Sequence, residues 1–220
     1  MSATITVHLV RHGESVWNLE GRYQGQSDSG LTETGRRQAQ LFAAGFVAEV
    51  PAPDLVASSD LPRVRDTAAE YAARTGAEVR IDPALREMSV GDWAGRTFEE
   101  IEAEHPEIVA AVAAGEDIAR GVGGETFAET RERVAAAIER VVAELAERDG
   151  DQVAVIFTSG NPIRLAAAHM LGLPSPGHMP LGSPDNCSLT TFRLRGGRRE
   201  VVRFNHDITP ARPADQREIS

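Results

Sequence analysis

The chain has 220 residues, a mass of 23.6 kDa and a formal charge of −10. All 23 of its basic residues are arginine. Without lysine, P-loop and Schiff-base lysine chemistry is excluded, and anion binding falls to guanidinium forks and backbone amides. The acid excess, with a pI near 5.1, argues against a nucleic-acid or anionic-membrane partner, since a polyanion is repelled over most of the surface.

An apolar share of 41% is enough for a real core. The length suits one large α/β domain or two small ones, on a prior of about 100–200 residues per domain. No internal repeat or linker-like stretch is visible, so residues 1–220 read as a single domain. The polar, proline-bearing stretch 209–220 reads as a loose tail. Cys187 is the only cysteine, which excludes an intrachain disulfide and a cysteine-based metal cluster. The first residues lack a basic n-region, and no apolar run reaches the roughly 18 residues of a membrane span. A cytoplasmic protein is expected, and a homodimer is left open.

Ile5, Val7, Leu9 and Val10 predict a strand that runs into the polar turn Arg11-His12-Gly13-Glu14-Ser15. Ala39, Phe42, Ala43, Phe46 and Val50 recur at helical spacing and predict a helix over 32–50, ended by Pro51 and Pro53. Leu55-Val56-Ala57 predicts a short strand, followed by a helix over 61–75 that Gly76 closes. Val79 and Ile81 suggest another strand. Thr97 with Glu100, and Thr126 with Glu129, are capping-box pairs; the second opens the longest helix. Residues 152–158 are almost wholly apolar, as in a strand covered on both faces. A helix with Pro162 in its first turn follows, and Gly172 ends it. Residues 189–194 and 201–204 flank Arg-Gly-Gly-Arg and predict a hairpin. The alternation predicts an α/β fold, a three-layer α/β/α sandwich on a mostly parallel sheet.

In such sheets ligands gather beyond the carboxyl ends of the strands. The turns at 11–14, 58–61 and 158–161 belong there. A helix that starts after such a turn aims backbone N–H groups at an anion. Arg11 adds a bidentate donor beside His12, and Gly13 allows close backbone approach. A histidine held there can act as a nucleophile toward a phosphoryl group, with arginines neutralising its oxygens. No carboxylate–histidine cluster suggests a metal centre, and no cofactor is called for.

Leu9-Val10-Arg11-His12-Gly13-Glu14-Ser15-Val16-Trp17-Asn18 resembles the signature of the histidine phosphatase superfamily, the phosphoglycerate mutase-like family. The likeness continues through Arg22-Tyr23-Gln24-Gly25, Ser58-Ser59-Asp60-Leu61 with Arg63, Leu85-Arg86-Glu87, Gly123-Gly124-Glu125 and Gly160-Asn161-Pro162-Ile163-Arg164. It spans roughly residues 5–172. The resemblance implies a phosphoglycerate mutase-like fold and hydrolysis of a small soluble phosphomonoester through a phosphohistidine on His12. It assigns Arg11 and Arg63 to the phosphate, Glu87 to protonation of the leaving oxygen, and Asn18, Gln24 and Gly25 to the phosphate side of the pocket. Ser159 and Gly160 would also face the phosphate. A small phosphorylated substrate or inorganic phosphate is the expected partner.

The family places a second active-site histidine directly before the glycine of the last motif, and here Ser159 occupies that position. Loss of one such donor typically costs about 10²–10³ in rate, roughly 3–4 kcal/mol. Three origins stay open: a working sub-branch, a phosphate-binding pseudoenzyme, or an engineered change. His178 or His206 could supply a replacement imidazole by folding over the site, whereas His8 and His169 read as structural. Only 37 residues separate Glu87 from Glu125, which looks short for a mutase. Hydrolysis is therefore preferred over mutase activity, with a non-catalytic phospholigand binder as the alternative.

Overall fold

The computed structural model describes residues 3–208; the tail expected at 209–220 lies outside the described residues. Six strands form one sheet: β1 (Thr4–Arg11), β2 (Leu55–Ser58), β3 (Val79–Ile81), β4 (Gln152–Thr158), β5 (Leu189–Arg195) and β6 (Arg198–His206). Their order is β3-β2-β4-β1-β5-β6. The first four run parallel, while β5 is antiparallel to both β1 and β6. The sheet is thus mostly parallel, as the alternation predicts.

Side chains on β1 and β4 alternate between two cores. Val7, Leu9, Ala154 and Ile156 pack with Ile138, Leu145 and Ile163. Val10, Val155 and Phe157 pack on the other face with Phe42, Phe46 and Tyr71. The helices on the first face are α6 (Phe127–Ala146) and α7 (Gly160–Met170); those on the second are α2 (Glu33–Glu49) and α3 (Pro62–Thr75). Burial on both faces is why 152–158 reads as an unbroken apolar run.

The predicted caps form. Thr97 and Thr126 make complete capping boxes with Glu100 and Glu129, and Gly76 closes α3 with φ 70°. Two helices go beyond the sequence reading: α1 (Val16–Leu19) and α5 (Pro106–Ala113). The first is too short to show periodicity. The second is apolar on nearly every position and has no side-chain cap bond, so amphipathic spacing does not mark it and Pro106 in its first turn is the one start signal. Between them lies α4 (Phe98–Glu104). Among the described residues no helix is long and apolar enough to cross a membrane.

The β1 turn is seated against the start of α2 through two glycines. A Cβ on Gly13 would stand 2.3 Å from the Gly35 carbonyl oxygen, and one on Gly35 would stand 2.0 Å from that of Glu14. Both neighbours are backbone and cannot move independently of the turn. Gly35→Ala is therefore expected to cost about 1–3 kcal/mol through overpacking. Thermal unfolding should show a Tm loss of about 2–4 °C per kcal/mol; an unchanged Tm would contradict this packing.

Candidate active site

The register Arg11↔Thr158 places the ends of β1 and β4 side by side. The turn after each strand therefore emerges at the same sheet edge, where His12 N–H donates to the Thr158 carbonyl at 3.1 Å. His12 is buried. Its Nδ1 lies 2.7 Å from the Gly13 carbonyl oxygen. A carbonyl only accepts, so Nδ1 carries the hydrogen and Nε2 keeps the lone pair. Burial, then the Arg63 and Arg11 charges, hold the His12 pKa well below the usual histidine value, opposed by the Gly13 bond. The ring is neutral at pH 7, with Nε2 unprotonated.

Arg63 reaches the site because Pro62 starts α3 immediately after the Ser58–Leu61 turn. It is only 1% exposed. Its Nη2 donates to Gly25 O at 2.8 Å and its Nη1 to Ser27 O at 2.7 Å and Asp28 Oδ1 at 3.1 Å. Nε donates to His12 Nε2 at 3.2 Å. Gln24 fits this network with its amide nitrogen donating to Ser15 Oγ at 2.6 Å and its oxygen accepting from Arg63 Nε at 3.2 Å; that orientation is assigned from the hydrogen bonds. Arg63 Nε thus has two acceptors in reach.

Arg11 donates from Nη1 to the Pro184 carbonyl, while its buried Nε has no protein partner. Burial lowers the pKa of both arginines and Glu87 raises both; each stays a cation. Glu87 Oε1 accepts Met88 N–H at 2.7 Å, and Oε2 accepts Asn161 N–H from the first turn of α7 at 3.3 Å.

Arg11, His12, Asn18, Gln24, Gly25, Arg63 and Glu87 all line one cavity of about 170 Å³. Ser159 and Gly160 are not among its lining residues, contrary to the expectation that both face the phosphate. Ser159 is fully buried, caps α7 without a side-chain bond, and has an unpartnered Oγ. Gly160 sits beneath Arg11, whose Nε would lie 3.7 Å from a Cβ there. His178 and His206 do not line the cavity either. His178 packs against Phe127 with ring centroids 3.6 Å apart and the rings tilted by 34°, and His206 ends β6 exposed. His8 bonds Thr191 Oγ1 at 3.0 Å and His169 bonds Glu139 at 2.9 Å, both structural as read. Asn161, Arg22 and Tyr23 also line the cavity. Asn161 was legible as the residue after Ser159-Gly160 but not as the group that holds Glu87.

A neutral histidine with a fixed lone pair, two arginines and a carboxylate around one small cavity make a site built for phosphoryl groups. The comparisons with known proteins agree. Residues 7–207 match the model of the histidine phosphatase superfamily (branch 1), and the chain belongs to that family, on its phosphatase side. The glucosyl-3-phosphoglycerate phosphatase of Mycobacterium tuberculosis is 37% identical over 91% of this chain and 92% of its own length. A protein of Erwinia tasmaniensis named "Probable phosphoglycerate mutase GpmB" is 34% identical over 84% of this chain and 83% of its own length. The structure of a mycobacterial glucosyl-3-phosphoglycerate phosphatase in complex with inorganic phosphate superposes with a TM-score of 0.83 at 31% identity, covering 94% of this chain and 99% of that one.

The lowered His12 pKa makes a spectroscopic prediction. From pH 8 down to about 6, ¹⁵N NMR should show the His12 ring unprotonated at Nε2 and protonated at Nδ1, with no titration near the usual value of about 6.5. A midpoint near 6.5, or the opposite tautomer, would contradict the electrostatics of the site.

Proposed function

We propose that the chain hydrolyses a small phosphomonoester through a phosphohistidine on His12. The observation that carries this reading is the Nε2 lone pair, fixed by the Nδ1–H···O bond to Gly13 and facing a cavity lined by Arg11 and Arg63. Nε2 attacks phosphorus, and the bond to the ester oxygen breaks with its electron pair. Glu87, protonated for this step, gives its proton to the departing alkoxide. The Nδ1 bond to Gly13 stabilises the positive ring that carries the phosphoryl group. Water then attacks phosphorus, Glu87 takes a proton from it, and phosphate leaves with Nε2 restored.

Approach of the phosphoryl group must free Nε2 from Arg63 Nε. Gln24 makes this cheap, because its oxygen is a second acceptor for the same N–H. Arg11 Nε, buried and unpartnered, supplies the donor that the equatorial oxygens need. The relatives' names span a phosphatase of a glucosylated phosphoglycerate and a mutase. The short 88–124 segment favours hydrolysis here. The cytoplasmic location and single-domain organisation drawn from the sequence belong to the same proposal.

Ser159 supports a second reading, a phospholigand binder without turnover. Its Oγ is buried, unpartnered and outside the cavity lining, so it does not replace an imidazole as a donor to the phosphate. In the phosphatase reading this lowers the rate without abolishing it. Hydrolysis of p-nitrophenyl phosphate by wild type, His12→Ala and Ser159→His separates the two. We expect His12→Ala to lose at least about 10³-fold in kcat, and Ser159→His to gain about 10²-fold. A wild type no faster than His12→Ala, beside an active Ser159→His, would establish the binder instead.

A further inference from the structure

Beside the phosphate cavity lies a second cavity of about 350 Å³. Tyr23 lines both. Arg164 lines the second and donates from Nη1 to Asn161 Oδ1 at 3.4 Å, while Asn161 lines the first and holds Glu87. The two cavities therefore adjoin on the Glu87–Asn161 side, from which the ester oxygen departs.

The walls of the second cavity are mostly apolar, with Trp93, Phe98, Val112, Phe127 and Met179 among them. Two cations stand among these side chains. Arg120 is 4% exposed, with its guanidinium carbon 4.7 Å above the Phe127 ring. Of its guanidinium nitrogens only Nη1 has a protein acceptor among the described residues, the Ile118 carbonyl. Arg164 donates to Leu181 O, Asn161 Oδ1 and His178 O, all neutral oxygens.

Among the described residues no carboxylate forms an ion pair with either arginine, and Glu87 acts on Arg164 only through its field. Asp117 interacts with Arg120 only through its field, because both its oxygens take N–H groups of Phe127 and Ala128 at the start of α6. Glu116 also lines the cavity but is exposed. His178 is 4% exposed and contributes a buried Nδ1 with no partner. In a chain with an acid excess of ten, two desolvated cations left without carboxylates retain hydrogen-bonding capacity for an anion.

The geometry points to this cavity as the subsite for the alcohol half of the substrate, a phosphomonoester whose alcohol joins an apolar ring or alkyl body to a carboxylate. The apolar body lies against Trp93 and Phe127, and the carboxylate meets Arg120 and Arg164. A polyhydroxylated sugar fits poorly, because its hydroxyls would be desolvated against aromatic carbon. The assignment rests on the phosphatase reading and adds to it the identity of the alcohol.

The test uses esters of primary alcohols only: benzyl phosphate, its 2-, 3- and 4-carboxy derivatives, and glucose 6-phosphate. For the wild type, the best carboxybenzyl ester should exceed benzyl phosphate by about tenfold in kcat/KM, and benzyl phosphate should exceed glucose 6-phosphate by a similar factor. In Arg120→Met and in Arg164→Met, the ratio of carboxybenzyl to benzyl ester should fall below about twofold. Calorimetric binding of the same esters to His12→Ala should show the same preference. Equal treatment of carboxylated and plain benzyl esters by the wild type overturns the assignment, whether or not the variants fold. So does an advantage that survives both arginine substitutions. If the binding preference holds and no ester is hydrolysed faster than by His12→Ala, the subsite stands and the phosphatase reading fails.

Discussion

A guanidinium taken fully out of water is stable only if its donors are met, and Arg63 is 1% exposed. Its acceptors come from two separated stretches: residues 24–28, through Gln24, Gly25, Ser27 and Asp28, and the ring of His12. The loop at 24–28, the β1 turn and the start of α3 are therefore tied by one buried charge. Loosening the Gly25, Ser27 and Asp28 acceptors leaves the Nη donors unmet, so the loop cannot drift without cost.

The same cation sets the chemistry of His12. A buried imidazole beside two arginines cannot hold a proton, and the Gly13 carbonyl decides which nitrogen keeps the remaining one. Nucleophilicity at Nε2 thus follows from burial, charge and one backbone acceptor together. A strongly acidic chain assembles a cationic pocket because Arg11, Arg120 and Arg164 bond to neutral oxygens or to nothing. Carboxylates neutralise most of the exposed arginines that are paired, such as Arg80 with Glu144 and Arg203 with Glu49.

Much of this was legible in the chain. The period-2 pattern of β1, the apolar run of β4 and the threonine caps at 97 and 126 are local signals, and each formed where it was read. The residues grouped by resemblance to the family, from Arg11 through Glu87, meet around one cavity. Ser159 and Gly160 do not, because helix α7 begins there, burying Ser159 and setting Gly160 against Arg11. The apolar helix α5 gave little local signal, since its sequence carries no amphipathic period.

By itself the sequence determined most of the elements, the α/β class and the residue types available for anion chemistry, because propensity, capping and hydrophobic period act over a few neighbouring residues. Only the tertiary structure decided which turns share an edge, how burial and Arg63 hold the His12 pKa down, and which arginines go unpaired. Those outcomes depend on groups far apart in the chain, such as Arg11 beside Thr158 and Glu87 beneath the Asn161 amide. Strand register and burial bring them together, and no local pattern encodes either.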